Sequence, residues 1–450
     1  MAADARSVLE RLALHRPDLR AWALYDWANS AMVTTIVAAV FPVYYRNVAA
    51  AGLPPGIATQ RFALSTTLSL IVIALLGPFL GALGDATGAR KKLLGACLGL
   101  GVAATAGMFW VDAGDWRLAS LLLVLAQVGA AGSFIFYDAL LVHVARDGEM
   151  DRLSTTSYAL GYLGGGLLLA LQFAWIQAPE RFGLDRLGDL GGAAETLPAR
   201  LAFASVAVWW LLFALPLFRY VKEPPATGAA GRGARAALGA AGRELGATLS
   251  ALRRYPQAFG LLLAFLLYND GISTIVKMAA IYGAELGLAS RSLLAAILLV
   301  QFVGIPCALL FGALAQRVGT QRALLGALAV YVGIGIFATQ LRTEAQFFAL
   351  AFAVGTVQGG AQALSRSLFA SLIPRARAAE FFGFFGMLEK FSGILGPACF
   401  AAAISLTGSS RIAVATVIPF FVAGALLLRR VKVDDGRRAV SRDAASGAPA

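Results

Sequence analysis

Gly81-Ala82-Leu83-Gly84-Asp85-Ala86-Thr87-Gly88-Ala89-Arg90-Lys91-Lys92 is the stretch on which the reading of the whole chain turns. Gly81, Gly84 and Gly88 permit a close helix approach and a tight turn. Asp85 and the run Arg90-Lys91-Lys92 supply the two signs of a charge latch at a membrane face. Alone, this is a glycine-rich turn followed by basic residues. It gains meaning from a degraded copy 231 residues later, Gly312-Ala313-Leu314-Ala315-Gln316-Arg317-Val318-Gly319-Thr320-Gln321-Arg322, in which Gln316 replaces the acid. At the same offset Gln127 matches Gln358, and Leu24-Tyr25-Asp26 resembles Leu267-Tyr268-Asn269-Asp270 at a slightly larger one. The chain is built from one unit used twice.

Both copies follow long apolar runs, and composition says what those runs are. Of 450 residues, 59% are hydrophobic and 14% charged, against roughly 45–50% and 25% in soluble domains. A single soluble core stops growing near about 250–300 residues, so this apolar excess belongs in a bilayer. Runs long enough to cross, about 20 residues each, fall at 22–45, 61–84, 93–111, 118–143, 154–177 and 199–219. Six more fall at 257–283, 291–314, 323–340, 345–372, 381–404 and 411–429. The expected fold class is an all-α membrane protein of twelve transmembrane helices in two pseudo-symmetric six-helix halves. The expected divisions are a cytosolic tail over 1–20, one half over 21–220, a cytosolic linker over 221–254, a second half over 255–430 and a disordered tail over 431–450. Leu238, Leu245, Leu249 and Leu252 form one stripe in the linker, which reads as a basic helix along the membrane. No cleaved leader is expected.

Charge distribution orients the chain. With both termini inside, 26 of the 38 Lys and Arg residues lie on the cytosolic side, nine on the other and three (Lys277, Arg366, Lys390) within spans. That bias keeps both termini cytosolic, in a bacterial inner membrane. The formal net charge of +13 is thereby topology and attraction to the bilayer's headgroups, not a nucleic-acid surface. Cys97, Cys307 and Cys399 sit singly in apolar runs, so neither a disulfide frame nor a metal site is expected.

The loop at residues 81–92 resembles the signature of the major facilitator superfamily, and the twelve-span plan extends the likeness along the chain. Three longer stretches narrow it. Trp22-Ala23-Leu24-Tyr25-Asp26-Trp27-Ala28-Asn29-Ser30, Leu267-Tyr268-Asn269-Asp270-Gly271 and Gln358-Gly359-Gly360-Ala361-Gln362-Ala363-Leu364-Ser365-Arg366-Ser367 resemble the unknown-major-facilitator branch. That branch includes the fungal vacuolar effluxer proteins of autophagy. Phe381-Phe382-Gly383-Phe384-Phe385 and Lys390 continue the resemblance. It implies movement of small solutes, with amino-acid efflux the activity attached to the fungal members, and a central cavity lined by spans 1, 4, 7 and 10.

An ionisable side chain at bilayer depth costs roughly 2.5–3.5 kcal/mol on insertion scales, so such residues face a cavity or a partner. Tyr25, Asp26 and Asn29 share a face of span 1; Tyr268, Asn269, Asp270 and Lys277 stand in span 7. Gln358, Gln362 and Arg366 make a stripe in span 10, and Glu389 and Lys390 stand in span 11. These are the candidate substrate and coupling residues, Asp270 first, because half a span of apolar residues precedes it. Gly81, Asp85, Gly88, Arg90 and Lys91 are the candidate gating motif. Plainer readings stand beside them. Asp26 caps or latches near the cytosolic end, Asp138 pairs with Arg146 or Arg152, and Arg366 pairs with a loop acid. Lys277 snorkels, and Glu389 pairs with Lys390. Gly393, Gly396 and Pro397 read as close helix packing, and Gly77-Pro78 and Ile305-Pro306 as matched kinks.

The expected function is secondary active transport of a small solute by alternating access, since no phosphate-binding loop of the Walker type is present. The finer expectation is amino-acid efflux coupled to protons. Its alternatives are multidrug or organic-cation export and, in a different class, a lipid-handling or non-transporting membrane protein. No cofactor and no enzymatic activity are expected: HExxH, a nucleophile elbow and clustered His or Cys are all missing. The expected partners are a small-molecule substrate, the coupling proton and the lipid bilayer, with the chain a monomer.

Overall fold

The computed structural model describes residues 8–146, 148–184, 194–224, 254–285, 290–407 and 410–446. Within them twelve helices are long and apolar enough to cross a membrane, and no strand occurs among the described residues. Spans 1–6 run Pro17–Ala49, Gln60–Thr87, Arg90–Trp110, Trp116–Val144, Met150–Gln177 and Leu197–Tyr220. Spans 7 and 8 run Pro256–Glu285 and Ser290–Val318. Spans 9–12 run Thr320–Ala338, Glu344–Ala370, Arg375–Thr407 and Ile412–Arg430. Large apolar side chains such as Leu75, Val208, Leu310 and Leu426 are exposed outward, as a lipid-facing surface requires. The interior holds Trp22, Trp210, Tyr137, Tyr268, Tyr331 and Phe203, all fully buried.

The described ends of the chain and the described parts of the even-numbered turns between spans gather on one side, the terminal face. There Arg16 Nη2 donates to the Val144 carbonyl at 2.6 Å and Arg152 Nη1 to the Glu10 carbonyl at 3.1 Å. Span 2 packs against span 11 and span 5 against span 8, so the same pair of crossings joins the halves on each side of the molecule. Backbone proximity explains the glycines at these crossings. A Cβ on Gly383 would stand 2.6 Å from the Gly77 carbonyl oxygen, and one on Gly81 or Gly312 would overlap Ala379 or Thr155. Pro78 and Pro306 lie inside spans 2 and 8.

Three features depart from the sequence reading. Span 1 starts earlier, with Pro17 at its first turn, and widens to π-helical turns over Met32–Ala39 and Tyr45–Ala49. Span 11 is not continuous: it forms 11a, Ala378–Phe391, and 11b, Leu395–Thr407. The tail expected to be disordered is instead a helix over Val433–Ser446, the C-terminal helix. Val433 and Val440 lie against the core, Arg437 Nε reaches Ser371 Oγ at 3.3 Å, and the Tyr255 hydroxyl donates to Asp443 at 2.5 Å. These contacts repay the ordering that composition alone argued against. Burial, followed by the Asp443 bond, pushes the Tyr255 phenol up to about 12. Finally, the expected linker helix lies outside the described residues.

Candidate functional site

Among the described residues, the charged candidates of the membrane interior fall into two groups. The first centres on Arg366, one turn from the terminal-face end of span 10. Its guanidinium is 3% exposed and crosses between the halves. Nη1 and Nη2 reach Asp26 Oδ2 in span 1 at 3.2 and 3.1 Å, and Nη1 reaches Asp138 Oδ1 in span 4 at 3.2 Å. Nε donates to Ser154 Oγ at 2.9 Å and Nη2 to Ser157 Oγ at 2.7 Å, both in span 5. The rings of Trp22, Tyr137 and Tyr158 surround it, with centroids 5.0, 5.5 and 4.6 Å from Cζ. A buried guanidinium costs several kcal/mol to dehydrate, and a fork of directed acceptors with aromatic faces offsets that cost.

All of those acceptors belong to the first half and Arg366 to the second, so the cluster is a lock between halves. Asp26 is its anchor: Oδ2 also accepts from Tyr137 Oη at 3.0 Å and Ser157 Oγ at 2.7 Å. The plainer pairings expected for Asp138 with Arg146 or Arg152, and for Arg366 with a loop acid, are replaced by this long-range arrangement. Ser154, Ser157 and Tyr158 are not singled out by the sequence; Tyr137 and Asp138 read there as polar residues of span 4, and Trp22 as part of a motif, without this role. The run Ser154-Thr155-Thr156-Ser157 at the start of span 5 is the available signal, since four consecutive hydroxyls at a buried helix end need acceptors.

The second group surrounds the break in span 11. Gln362 Nε2 donates to Asn269 Oδ1 at 2.6 Å, Asn269 Nδ2 donates to Ser392 Oγ, and Ser392 Oγ donates to the Glu389 carbonyl at 2.6 Å. Asp270 Oδ2 accepts the Gly396 N–H at 3.0 Å, placing a carboxylate at the start of 11b. A carboxylate suits that end electrostatically. Span 7 therefore accepts one N–H directly at the start of 11b and supports Ser392, which bonds the Glu389 carbonyl at the end of 11a. Lys390 Nζ lies 3.0 Å from Glu389 Oε1, with side chains 28% and 41% exposed. Glu389 is near enough for its charge to act on Asp138 and Tyr158. The Tyr268 hydroxyl meets Ser365 Oγ at 2.6 Å, and the Tyr25 ring lies 4.8 Å from that of Tyr137. Asn29 is fully buried and Gln358 half-buried. The Lys277 side chain lies outside the described residues.

Two residues of the gating motif hydrogen-bond to the other half, and Gly81 packs against it. Asp85 Oδ2 accepts the Glu380 N–H at 2.8 Å and Oδ1 the Ala379 N–H at 3.2 Å, at the first turn of 11a. Arg90, fully buried, bonds Asp85 Oδ1 at 2.6 Å and the Ala376 carbonyl at 2.9 Å. Gly88 closes span 2 with φ +62°, a left-handed position that suits glycine. Lys91 stays within its own half, donating to the Phe218 and Val221 carbonyls at 2.8 and 2.6 Å. The second copy of the motif also reaches across: Thr320 Oγ1 donates to Asp151 at 2.6 Å, joined there by Ser367 Oγ of span 10 at 2.5 Å. The acid lost at Gln316 is thus supplied by the facing span 5. All these inter-half bonds lie toward the terminal face. On the other face an apolar cavity of about 280 Å³ lies among spans 1, 5 and 6 and Leu298 of span 8.

Residues 15–150 and 143–441 match the family described as "Vacuole effluxer Atg22 like". The chain belongs to the Atg22-like vacuole effluxer family. It is 35% identical over 420 residues to the uncharacterized MFS-type transporter YxiO of Bacillus subtilis (strain 168), covering 90% of this chain and 93% of that one. Autophagy-related protein 22 of Cryptococcus neoformans is 28% identical over 310 residues, 64% of this chain but 54% of the fungal one. The chain thus spans about half the length of that fungal relative. Among solved structures it resembles the human organic anion transporter MFSD10 (TETRAN), with a TM-score of 0.66 at 15% identity covering 94% and 100% of the chains. It also resembles the proton:xylose symporter XylE, with 0.67 at 14% covering 92% and 95%. Those likenesses show the fold. This Atg22-like chain is a multi-pass membrane transporter of the major facilitator fold, not an enzyme.

Proposed function

We propose that the chain exports a small zwitterionic solute of the amino-acid class across the bacterial inner membrane, by alternating access and in exchange for protons. The terminal face is the cytosolic face in this reading, on the Lys and Arg distribution. One observation carries it: Arg366 of one half is held by Asp26 and Asp138 of the other, inside the membrane. Such a lock closes the cytosolic path, and its release opens it.

The charged pair Lys390 and Glu389, partly exposed at the break in span 11, supports the zwitterion. A substrate carboxylate placed at Lys390 and an ammonium at Glu389 convert one ion pair into two. Gln362 and Gln358 stand on the facing stripe of span 10 as amide partners. Arg366 has its donors engaged by the first half, so it serves the lock in this state. Asp270, bound to the Gly396 N–H, serves the break.

The test is flux in proteoliposomes of the purified monomer. Protein-dependent efflux of a loaded amino-acid mixture, raised by an outside-acid pH gradient, supports the reading. An organic-cation exporter is the second reading, favoured by carboxylates outnumbering cations among Asp26, Asp138, Asp270, Glu389, Arg366 and Lys390. Inhibition of flux by hydrophobic cations, with no effect of free amino acids, selects it instead.

A further inference from the structure

One guanidinium here serves two carboxylates, and it serves them unequally. Asp26 Oδ2 accepts four donors: Tyr137 Oη, Ser157 Oγ and both terminal nitrogens of Arg366. Asp138 accepts one, from Arg366 Nη1, which is divided between the two acids at 3.2 Å each. Asp138 is also the more accessible, at 15% against 6%. The titratable and charged groups near it are Asp26 from span 1, Tyr137 from its own span, Tyr158 from span 5, Arg366 from span 10, and Glu389 with Lys390 beside it from span 11.

We infer that Asp138 is the carboxyl group that takes up the coupling proton, and that its protonation releases Arg366 from the first half. This rests on the proton-driven export reading above. Asp26 and Asp138 share a half, so their mutual repulsion persists when the halves part, whereas the attraction of Arg366 does not. A proton is therefore bound more readily once Arg366 has withdrawn. By linkage, binding that proton favours withdrawal. The step balances simply: Asp138 carboxylate plus one proton from water on the non-terminal face gives the acid, and the reverse step delivers the proton to water on the terminal face. Asp270 is placed differently: its bond to Gly396 lies within one half. A proton there does not change what holds the halves together.

The experiment needs no substrate, since the proton is the probe. Spin labels on Lys92→Cys and Arg322→Cys, exposed on opposite halves at the terminal face, are placed in a chain with Cys97, Cys307 and Cys399 changed to Ser. Their distance distribution is measured by pulsed electron resonance from about pH 8.5 down to about pH 4, a window that reaches the ordinary Asp value of about 3.9 and covers any raised one. The parent should gain wide-distance population on the order of tenfold, the effect of losing one charged hydrogen bond. Asp138→Asn should hold the wide distribution at every pH, Asp138→Glu should restore the pH response, and Asp270→Asn should keep it. A parent that responds while Asp138→Asn responds equally overturns the assignment and leaves proton-driven export standing. A parent with no pH response overturns proton coupling itself.

Discussion

Asp85 of span 2 sits at the first turn of 11a, its two oxygens accepting the backbone N–H groups of Ala379 and Glu380. One side chain thereby ties the end of one half to the start of a helix in the other. Capping bonds and the helix dipole together contribute about 1–2 kcal/mol.

Asp85→Asn removes the charge and one acceptor and leaves Arg90 without its anion. The expected result is a shift of about 5–30-fold toward the open terminal face, read as faster labelling of Thr155→Cys by a membrane-impermeant thiol reagent from the terminal side. Unchanged labelling contradicts a latch at Asp85.

Arg366→Gln leaves Asp26 buried without its counter-charge, a cost of about 3–5 kcal/mol. Thermal unfolding in detergent should fall accordingly. Arg366→Lys should recover little, because an ammonium cannot reach Asp26, Asp138, Ser154 and Ser157 together. Adding Asp26→Asn to Arg366→Gln should cost less than the two losses summed, the sign expected of a directly coupled pair.

Gly383→Ala places a methyl 2.6 Å from the Gly77 carbonyl and 2.9 Å from Pro78 Cα. Both are backbone atoms and cannot swing aside. The halves should fail to close at the terminal face while the protein stays folded, visible as a persistently wide distance between labels on opposite halves. A closed distribution would show that spans 2 and 11 do not need this contact.

The C-terminal helix should stay docked across neutral and moderately alkaline pH. The Tyr255 hydroxyl, pushed up to about 12 by burial and by Asp443, keeps its proton for the bond. That contribution is whole below the ordinary phenol value of about 10 and is lost as pH rises toward 12. Amide exchange over residues 433–446, corrected for intrinsic rate, should show this profile. Tyr255→Phe should raise exchange at every pH below about 10, by the roughly tenfold that a bond of about 1.5 kcal/mol represents, and change it little near pH 12.

Much of the fold was legible because its signals are local and repeated. Apolar runs of membrane length give the spans, and the copy of residues 81–92 at 312–322 gives the two halves. The break in span 11 was written as Gly393, Gly396 and Pro397, but apolar neighbours made that run look like packing. Only the proximity of Asn269 and Asp270, more than 120 residues away, turns it into two helices. The lock was less legible still. Arg366 and Asp26 lie 340 residues apart in different halves, and periodicity within one helix carries no information about its partner on another. The acid lost at Gln316 reappears as Asp151 on the facing element, a compensation visible only once spans 5 and 9 are side by side. The C-terminal helix was misread for a related reason: its charged composition resembles a solvated tail until Tyr255 and Leu372 meet it.

The measurement closest to the central claim is efflux from proteoliposomes loaded with a labelled amino-acid mixture, with and without an outside-acid pH gradient, for the parent chain and Arg366→Gln. The account predicts protein-dependent efflux of at least one amino acid that the gradient accelerates, and loss of that acceleration in Arg366→Gln. Efflux of no amino acid above protein-free liposomes, or acceleration that persists in Arg366→Gln, would contradict it.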